Sequence, residues 1–309
     1  MANRTALFSR KQSGGVFTID DLKQHPGNIW FVDSGHAAAS DTAGFGQNPD
    51  TPVATIDYAI GLCTASNGDV IYVMPGHAEN LTAADTIDVD VAGVSIIGLG
   101  NGNLMPTLST TAAAGSVTID AANVTLRNLK LVANFATGTT TGMTVAATAD
   151  GLTLDGLKFR DTSAANEFLI HVSVATTVTD MTIKNCSFVT AAGSMTGSVV
   201  FAGSSTDTVI ENNYWYVDSS DSVVDHQTTA AVNLVLRDNC IINIDTGAAG
   251  YCVEAKTAST GAAYRNFFGY NKVDAEVSVG DAMWWFENYA SNTIAESGLL
   301  DPATAHAIP

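Results

Sequence analysis

The residues best suited to chemistry are acids and imidazoles. "DSSDSVVDH" sets Asp218, Asp221 and Asp225 beside His226. Glycosidic hydrolysis needs two carboxyls about 5–9.5 Å apart across a groove, one protonated and one ionised. These acids fall between two strand-like runs, so a solvated loop is the simpler reading. The same oxygens suit Ca²⁺, but the Gly-rich Asp repeats of a dedicated calcium roll are missing. "DSGHAAASD" gathers Ser34, His36 and Asp41. A nucleophilic triad is a matter of geometry rather than sequence proximity, and a polar loop accounts for these three. His77 and Glu79 in "PGHAEN" read as turn residues. No His–Cys spacing suits zinc, and no Gly-rich loop suits a nucleotide phosphate. The expectation is no catalytic residue, no metal ligand, no cofactor and no enzymatic activity.

Charge narrows the partners. The 309 residues carry a formal charge of −18, and no Lys or Arg falls between Lys23 and Arg127, where ten Asp or Glu lie. Such a body repels nucleic acid and anionic membrane. No run approaches the ~18 apolar residues of a membrane span, and "MANRTALFSRKQSGG" lacks the apolar stretch of a signal peptide. The expected setting is a cytoplasm, without export. Cys63, Cys186, Cys240 and Cys252 show no CxxC spacing and read as reduced, buried thiols.

What would position any site is a repeat. "NVTLRNLKLV" at Asn123 returns as "GLTLDGLKFR", "DMTIKNCSFV", "TVIENNYWYV" and "NLVLRDNCII", with "GVSIIGLGNG" before them and "AYRNFFGYNK" after. Aligned on Ile96, Leu126, Leu154, Ile183, Ile210, Leu236 and Tyr264, the copies lie 26 to 30 residues apart. A near-constant period without a helical pattern predicts a β-solenoid, all-β in class. Two residues after each anchor stand Gly98, Asn128, Gly156, Asn185, Asn212, Asp238 and Asn266, types that tolerate a left-handed backbone. The chain should bend there once per coil, with Asn128, Asn185, Asn212, Asp238 and Asn266 forming a ladder. Leu131, Phe159, Phe188, Trp215 and Ile241 should line the interior. Arg127, Asp155, Lys184, Glu211, Arg237 and Arg265 should form an outer charge ladder, since opposite charges on neighbouring strands are favoured. Asn213 and Asn239 interrupt the inward column of Leu129, Leu157 and Cys186. Either the corner shifts there by one residue or the two amides pair inside.

The ends divide the chain into an arm (1–27), a solenoid (28–275) and a C-terminal cap or tail (276–309). The arm carries Arg4, Arg10, Lys11 and Lys23. "TPVATIDYAIGLCTASNGD" spaces Ile56, Ala59, Ile60 and Cys63 as a helix, ended by Gly68-Asp69, that would cover the open end of the solenoid. "AMWWFENY" packs Trp284, Trp285 and Phe286 into one run, as a cap or an oligomer contact.

The order strand, Asp-Ser-Gly loop, "NPDTPVATIDYAI", "GDVIYVMPGHAEN" resembles the first coil of pectin-lyase-like right-handed β-helix proteins. That resemblance implies a single-stranded right-handed parallel β-helix with a short N-terminal capping helix. The fold hosts lyases, hydrolases and virion proteins alike. The "NTD", "DD", "GHG" and "RIK" strings of polygalacturonase-like sites are absent. The opening "RTALFSRKQSGGVFTIDDLKQHPGNIWFVDSGHA" further resembles tailed-phage proteins encoded beside capsid genes. It implies a capsid decoration protein on the virion exterior, assembled in the host cytoplasm as a homo-oligomer, a trimer, on the major capsid protein. The alternative is a tailspike or fibre that binds or cleaves host surface polysaccharide. Such proteins usually add head-binding and trimerising domains, for which the residues flanking the solenoid leave little room.

Overall fold

The computed structural model describes residues 27–299, apart from 192, 194, 227, 248–250, 271–276, 279–281 and 293–296. The basic residues Arg4, Arg10, Lys11 and Lys23 lie outside the described residues.

Short runs of alternating apolar and polar residues form strands, and each pairs in parallel with the equivalent run one coil later. The result is a right-handed parallel β-helix with three faces. The first face has ten strands, from Ile29–Val32 to Ala282–Phe286. The second follows the first-face strands from Val70–Val73 onward, runs from Ala78–Leu81 to Tyr289–Asn292, and ends on the antiparallel strand Ser297–Leu299. The third closes each coil with strands such as Thr139–Val145 and Phe168–Val174.

The register follows the repeat. Ile96, Leu126, Leu154, Ile183, Ile210 and Leu236 are successive partners, all buried. Leu131, Phe159, Phe188, Trp215 and Ile241 form the facing inner column on the second face. Within it, Phe188 stacks on Phe159 and on Trp215, each with ring centroids 4.9 Å apart. These contacts knit the rungs into one continuous apolar core. On the outer side of the first face, Arg127, Asp155, Lys184, Glu211 and Arg237 are register partners. Arg237 bonds Glu211, and Arg127 lies 3.6 Å from Asp155.

The last rungs differ from the sequence reading by one residue. Leu236 pairs with Ala263, not Tyr264. The left-handed corner is then Arg265, at φ 53°, in line with Asn128, Asn185, Asn212 and Asp238 at 54–56°. Arg265 therefore leaves the charge ladder and bonds Asp238 instead, at 2.7 Å through both Nε and Nη2. Asn266 leaves the corner ladder and turns inside. There the amides pair, the second of the two options the sequence left open. Asn213, Asn239, Asn266 and Asn288 stack down the interior. Each Oδ1 from Asn239 onward accepts the backbone N–H and the Nδ2 of the amide one rung before. Each Nδ2 also donates to a first-face carbonyl, of Ile183, Ile210, Leu236 and Ala263 in turn. The corner residues themselves do not stack as amides. Asn128 donates to the Gly98 and Gly100 carbonyls, and Asn185 to Asp155.

Both ends also depart from the sequence boundaries. Coil stacking continues past residue 275: Ala282–Phe286 pairs with Thr260–Tyr264, and Tyr289–Asn292 with Phe267–Tyr270. "AMWWFENY" is thus a further rung, with Met283 and Trp285 turned in, Glu287 at the corner and Asn288 inside. At the other end, the helix is confined to Ile56–Gly61. Thr55 caps it by accepting the Tyr58 N–H, and Ile56, Ala59 and Ile60 bury against the first coil. It stops before Gly68 because the Leu62 and Cys63 amides tighten onto Ala59 and Ile60.

The amide ladder is the testable element here. Replacing Asn239 by Ala removes the acceptor of the Asn213 N–H and of one Asn213 Nδ2 proton, and the donor to the Ile210 carbonyl, all in the interior. It should cost roughly 2–4 kcal/mol in denaturant unfolding. Asn212→Gly, one residue earlier at the left-handed corner, should stay within about 0.5 kcal/mol, because Gly adopts that conformation freely.

Candidate functional site

The residues chosen from sequence do not come together as a reactive centre. Asp218 accepts the Gly193 N–H at 3.2 Å, while His226 is buried, stacked 3.9 Å over Phe201 and bonded to Ser205 Oγ. Asp225 is an outward strand residue, paired in register with Val200 and Glu254. Ser34 Oγ donates to the Ala78 carbonyl. His36 Nδ1 accepts the Ala38 N–H, and Asp41 caps Ala54 and Thr55. His77 and Glu79 are more than turn residues. Nδ1 of His77 accepts the Ser34 N–H, which places the proton on Nε2, 3.2 Å from Glu79. Glu79 in turn accepts the Ile56 N–H at the helix start. The pair clamps the helix to the first coil.

Two features escaped the sequence reading. One is a carboxyl pair at a coil turn. Asp161 ends a second-face strand and Glu167 precedes the next strand. Asp161 Oδ1 accepts the Phe168 N–H, and its Oδ2 is buried without a hydrogen-bond partner among the described residues. Burial first, and the Glu167 charge with it, push the Asp161 carboxyl up to about 7 against two backbone hydrogen bonds that pull it down. At neutral pH this group is part acid, part carboxylate. The five residues between the two acids carry no motif, so only chain closure reveals them.

The other feature is a cleft of about 700 Å³ along the corner between the first two faces, over the last four rungs. One wall is the outward column Tyr214, Cys240, Phe267 and Tyr289, which are successive register partners. Tyr214, Phe267 and Tyr289 are 41, 39 and 54% exposed. Cys240, the smallest of the four, leaves a notch between rings. The other wall is the corner itself: Asn212, Asp238, Arg265 and Glu287, all left-handed. The Arg265 hydrogen bond holds the Asp238 carboxyl below its usual range, so it remains an acceptor, and Arg265 lies 4.8 Å over the Tyr264 ring. Trp284 and Phe286 are exposed on the adjoining first face, with Phe286 stacked on Tyr264. Trp285 points inward onto Phe268.

Among the described residues no group of three or more His, Cys, Asp or Glu is placed to hold a metal ion. All four cysteines are free thiols. Cys186 and Cys252 are buried, while Cys63 and Cys240 are only partly so.

No family model matches the chain, and no curated protein matches it. Its fold is similar to solved structures. One is a rhamnogalacturonan lyase, 13% identical, with 89% of this chain and 90% of that chain covered and a TM-score of 0.43. Another is the pectin methylesterase of Aspergillus niger in deglycosylated form, also 13% identical, covering 89% and 92%, at a TM-score of 0.43. A third is ORF18 of Geobacillus virus E2, 11% identical, covering 87% and 63%, at 0.34. The expectation of no enzymatic activity is corrected on this finding. Two of these three neighbours are named as enzymes, so missing sequence strings do not set the chain apart as inactive.

Buried ionisable groups give a pH signature. Burial holds His171 down to about 3 and His226 to about 4. The unfolded chain takes up these protons below about 6.5 while the folded chain does not, so stability is lost as pH falls from 6.5 towards 4. Asp161 has the opposite sign: its folded pKa is raised, so its contribution is lost as pH rises through about 4 to 7. Asp161→Asn should therefore raise Tm above pH 7 and leave it unchanged below about pH 4. Scanning fluorimetry across pH 4–8.5 measures both effects, and a Tm for the Asp161→Asn variant, which lacks the opposing carboxyl, that is flat between 6.5 and 4 would contradict the neutral imidazoles.

Proposed function

We propose that the protein is a structural component of a phage virion. In this reading it is a capsid decoration protein, docked on the major capsid protein through residues 1–27 and standing on the particle exterior after assembly in the host cytoplasm. The observation that carries this reading is the segregation of charge. Arg4, Arg10, Lys11 and Lys23 precede a stretch with ten acids and no Lys or Arg. The rungs built from that stretch crowd their acids together. The Asp88 carboxyl is raised by burial and then by Asp90, Asp85, Asp120 and Asp57. A cationic arm ahead of such a body suits an acidic protein surface, and attraction of this kind sets encounter rate and orientation. The phage resemblance of the opening residues supports the same partner. A homotrimer is the assembly that resemblance implies, with Trp284 and Phe286 as the apolar contact.

Co-sedimentation with empty capsids tests the arm. Deleting residues 2–27 should weaken binding by at least tenfold, and raising ionic strength should weaken the full chain progressively. Equal binding by the truncated chain would show that the arm is not the anchor. Light scattering after size exclusion tests the assembly: the full chain should run as a trimer, and Trp284→Ser should shift it towards monomer.

A further inference from the structure

We propose that the open edge of the first face, along Ala282–Phe286, is a docking site for residues 302–306 of the same chain, which add to it as an antiparallel strand. This goes beyond the virion reading and does not rest on it. It leaves Trp284 and Phe286 facing outward.

The edge calls for an occupant. The first face ends on Ala282–Phe286, and among the described residues no strand lies beyond it. The opposite end of this face is covered, because the Phe31 N–H donates to the Gly46 carbonyl and the Phe31 carbonyl accepts the Val53 N–H. The second face is also covered where it ends, by Ser297–Leu299. An open strand edge presents N–H and C=O groups that template another strand, and "AMWWF" carries no charge to discourage one. The core beneath is unfinished as well. Met283 and Trp285 turn inward from this strand, and Trp285 Nε1 is buried without a hydrogen-bond partner among the described residues.

Register names the occupant. Ser297, Gly298 and Leu299 pair with Ser291, Ala290 and Tyr289 in turn, so the chain runs back towards the corner at Glu287. Phe286 stands just past that corner. Continued at the same register, Pro302 meets Phe286, and Ala303, Thr304, Ala305 and His306 fall opposite Trp285, Trp284, Met283 and Ala282. The residue types fit this placement. Asp301-Pro302 favours a turn where the corner must be rounded, and proline suits the first residue of an edge strand. Directly opposed residues of antiparallel strands share a side of the sheet. The small Ala303 and Ala305 then lie inward beside the large Trp285 and Met283, while Thr304 and His306 face solvent. A short strand that begins with proline is itself a poor template, as a finished edge requires. A second copy is the competing occupant. Only Leu300, Asp301 and Pro302 separate Leu299 from Ala303, so the chain's own segment has the higher effective concentration at the edge.

The test combines amide hydrogen exchange with a disulfide trap. Alternate amides of residues 282–286 should be protected in the full chain and exchange at least tenfold faster in a chain lacking residues 300–309. Ala282→Cys with His306→Cys, in a background of Cys63→Ser and Cys240→Ser, should oxidise within one chain. Directly opposed strand residues stand about 4.5–5.5 Å apart at Cα, inside disulfide range. Ala282→Cys with Ala305→Cys, on opposite sides of the sheet, should stay reduced. The proposal is overturned if residues 282–286 exchange equally with and without the segment, or if the Ala305 control links as readily. It is also overturned if the 282–306 link joins two chains, which would assign the edge to a second copy.

Discussion

From Asn128 onward, every described coil depends on the chain turning the same sharp corner at the same place. The residue there must be left-handed, a conformation that costs an ordinary L-residue about 1 kcal/mol or more. The early coils meet this with residue type. Asn128, Gly156 and Asn185 stand at the corner, and Leu129, Leu157 and Cys186 follow inside. The later coils meet it with hydrogen bonds. Asn213, Asn239, Asn266 and Asn288 turn inward, and from Asn239 on each Oδ1 holds the backbone N–H at the turn one rung below. Once the backbone is held from inside, residue type at the corner is released, and Asp238 and Arg265 occupy it.

That release links folding to surface chemistry. Corners made of Gly and Asn present little to a ligand. Corners made of Asp, Arg and Glu present charge at fixed heights, one per rung, with a hydrogen-bonded pair in the middle. The outward aromatics occur over the same rungs, where the second-face column changes from Lys130, Lys158 and Ser187 to Tyr214, Cys240, Phe267 and Tyr289. The interior changes in step, from apolar to amide. The molecule has a plain half, closed by the helix, and a decorated half.

The same switch explains what was legible. Apolar columns and the outer charge ladder could be read because burial and charge alternation constrain them in every coil. The corner could be read while it was Gly or Asn. It was lost where Arg265 took the left-handed position and Asn266 stood beside it, since a residue-type argument prefers the Asn. A second left-handed column, Gly93, Asn123, Gly151, Asp180, Asp207 and Asn233, lies three residues before each anchor and carries the same residue types. At the next coil this column points the other way: Gly261 stands three residues before Tyr264 and Thr260 before Ala263, so residue type in both columns agrees on the register that strand pairing overrules. The cleft was not legible, because Tyr214, Phe267 and Tyr289 are far apart in sequence and meet only through strand pairing. Asp161 and Glu167 were missed for the same reason, with loop closure in place of pairing.

Ionisable groups are sorted by the same geometry. His171 is fully buried between Phe159, Phe168 and Phe188, and its Nδ1 meets Ser198 Oγ, which also accepts the Trp215 indole N–H. His226 stacks on Phe201 and bonds Ser205. Both imidazoles act as neutral aromatic rungs, His171 with one polar tether and His226 with a second, to the Thr229 carbonyl. Stacking from coil to coil rewards flat rings of any kind, but an inner position admits one only while it is uncharged. The outer side of the first face has the opposite rule, where charge is welcome and its sign alternates from Arg127 to Arg237. Asp161 sits between these regimes, at a turn too buried for a carboxylate and beside another acid. It is the place where the solenoid's division of polar from apolar surface is least complete.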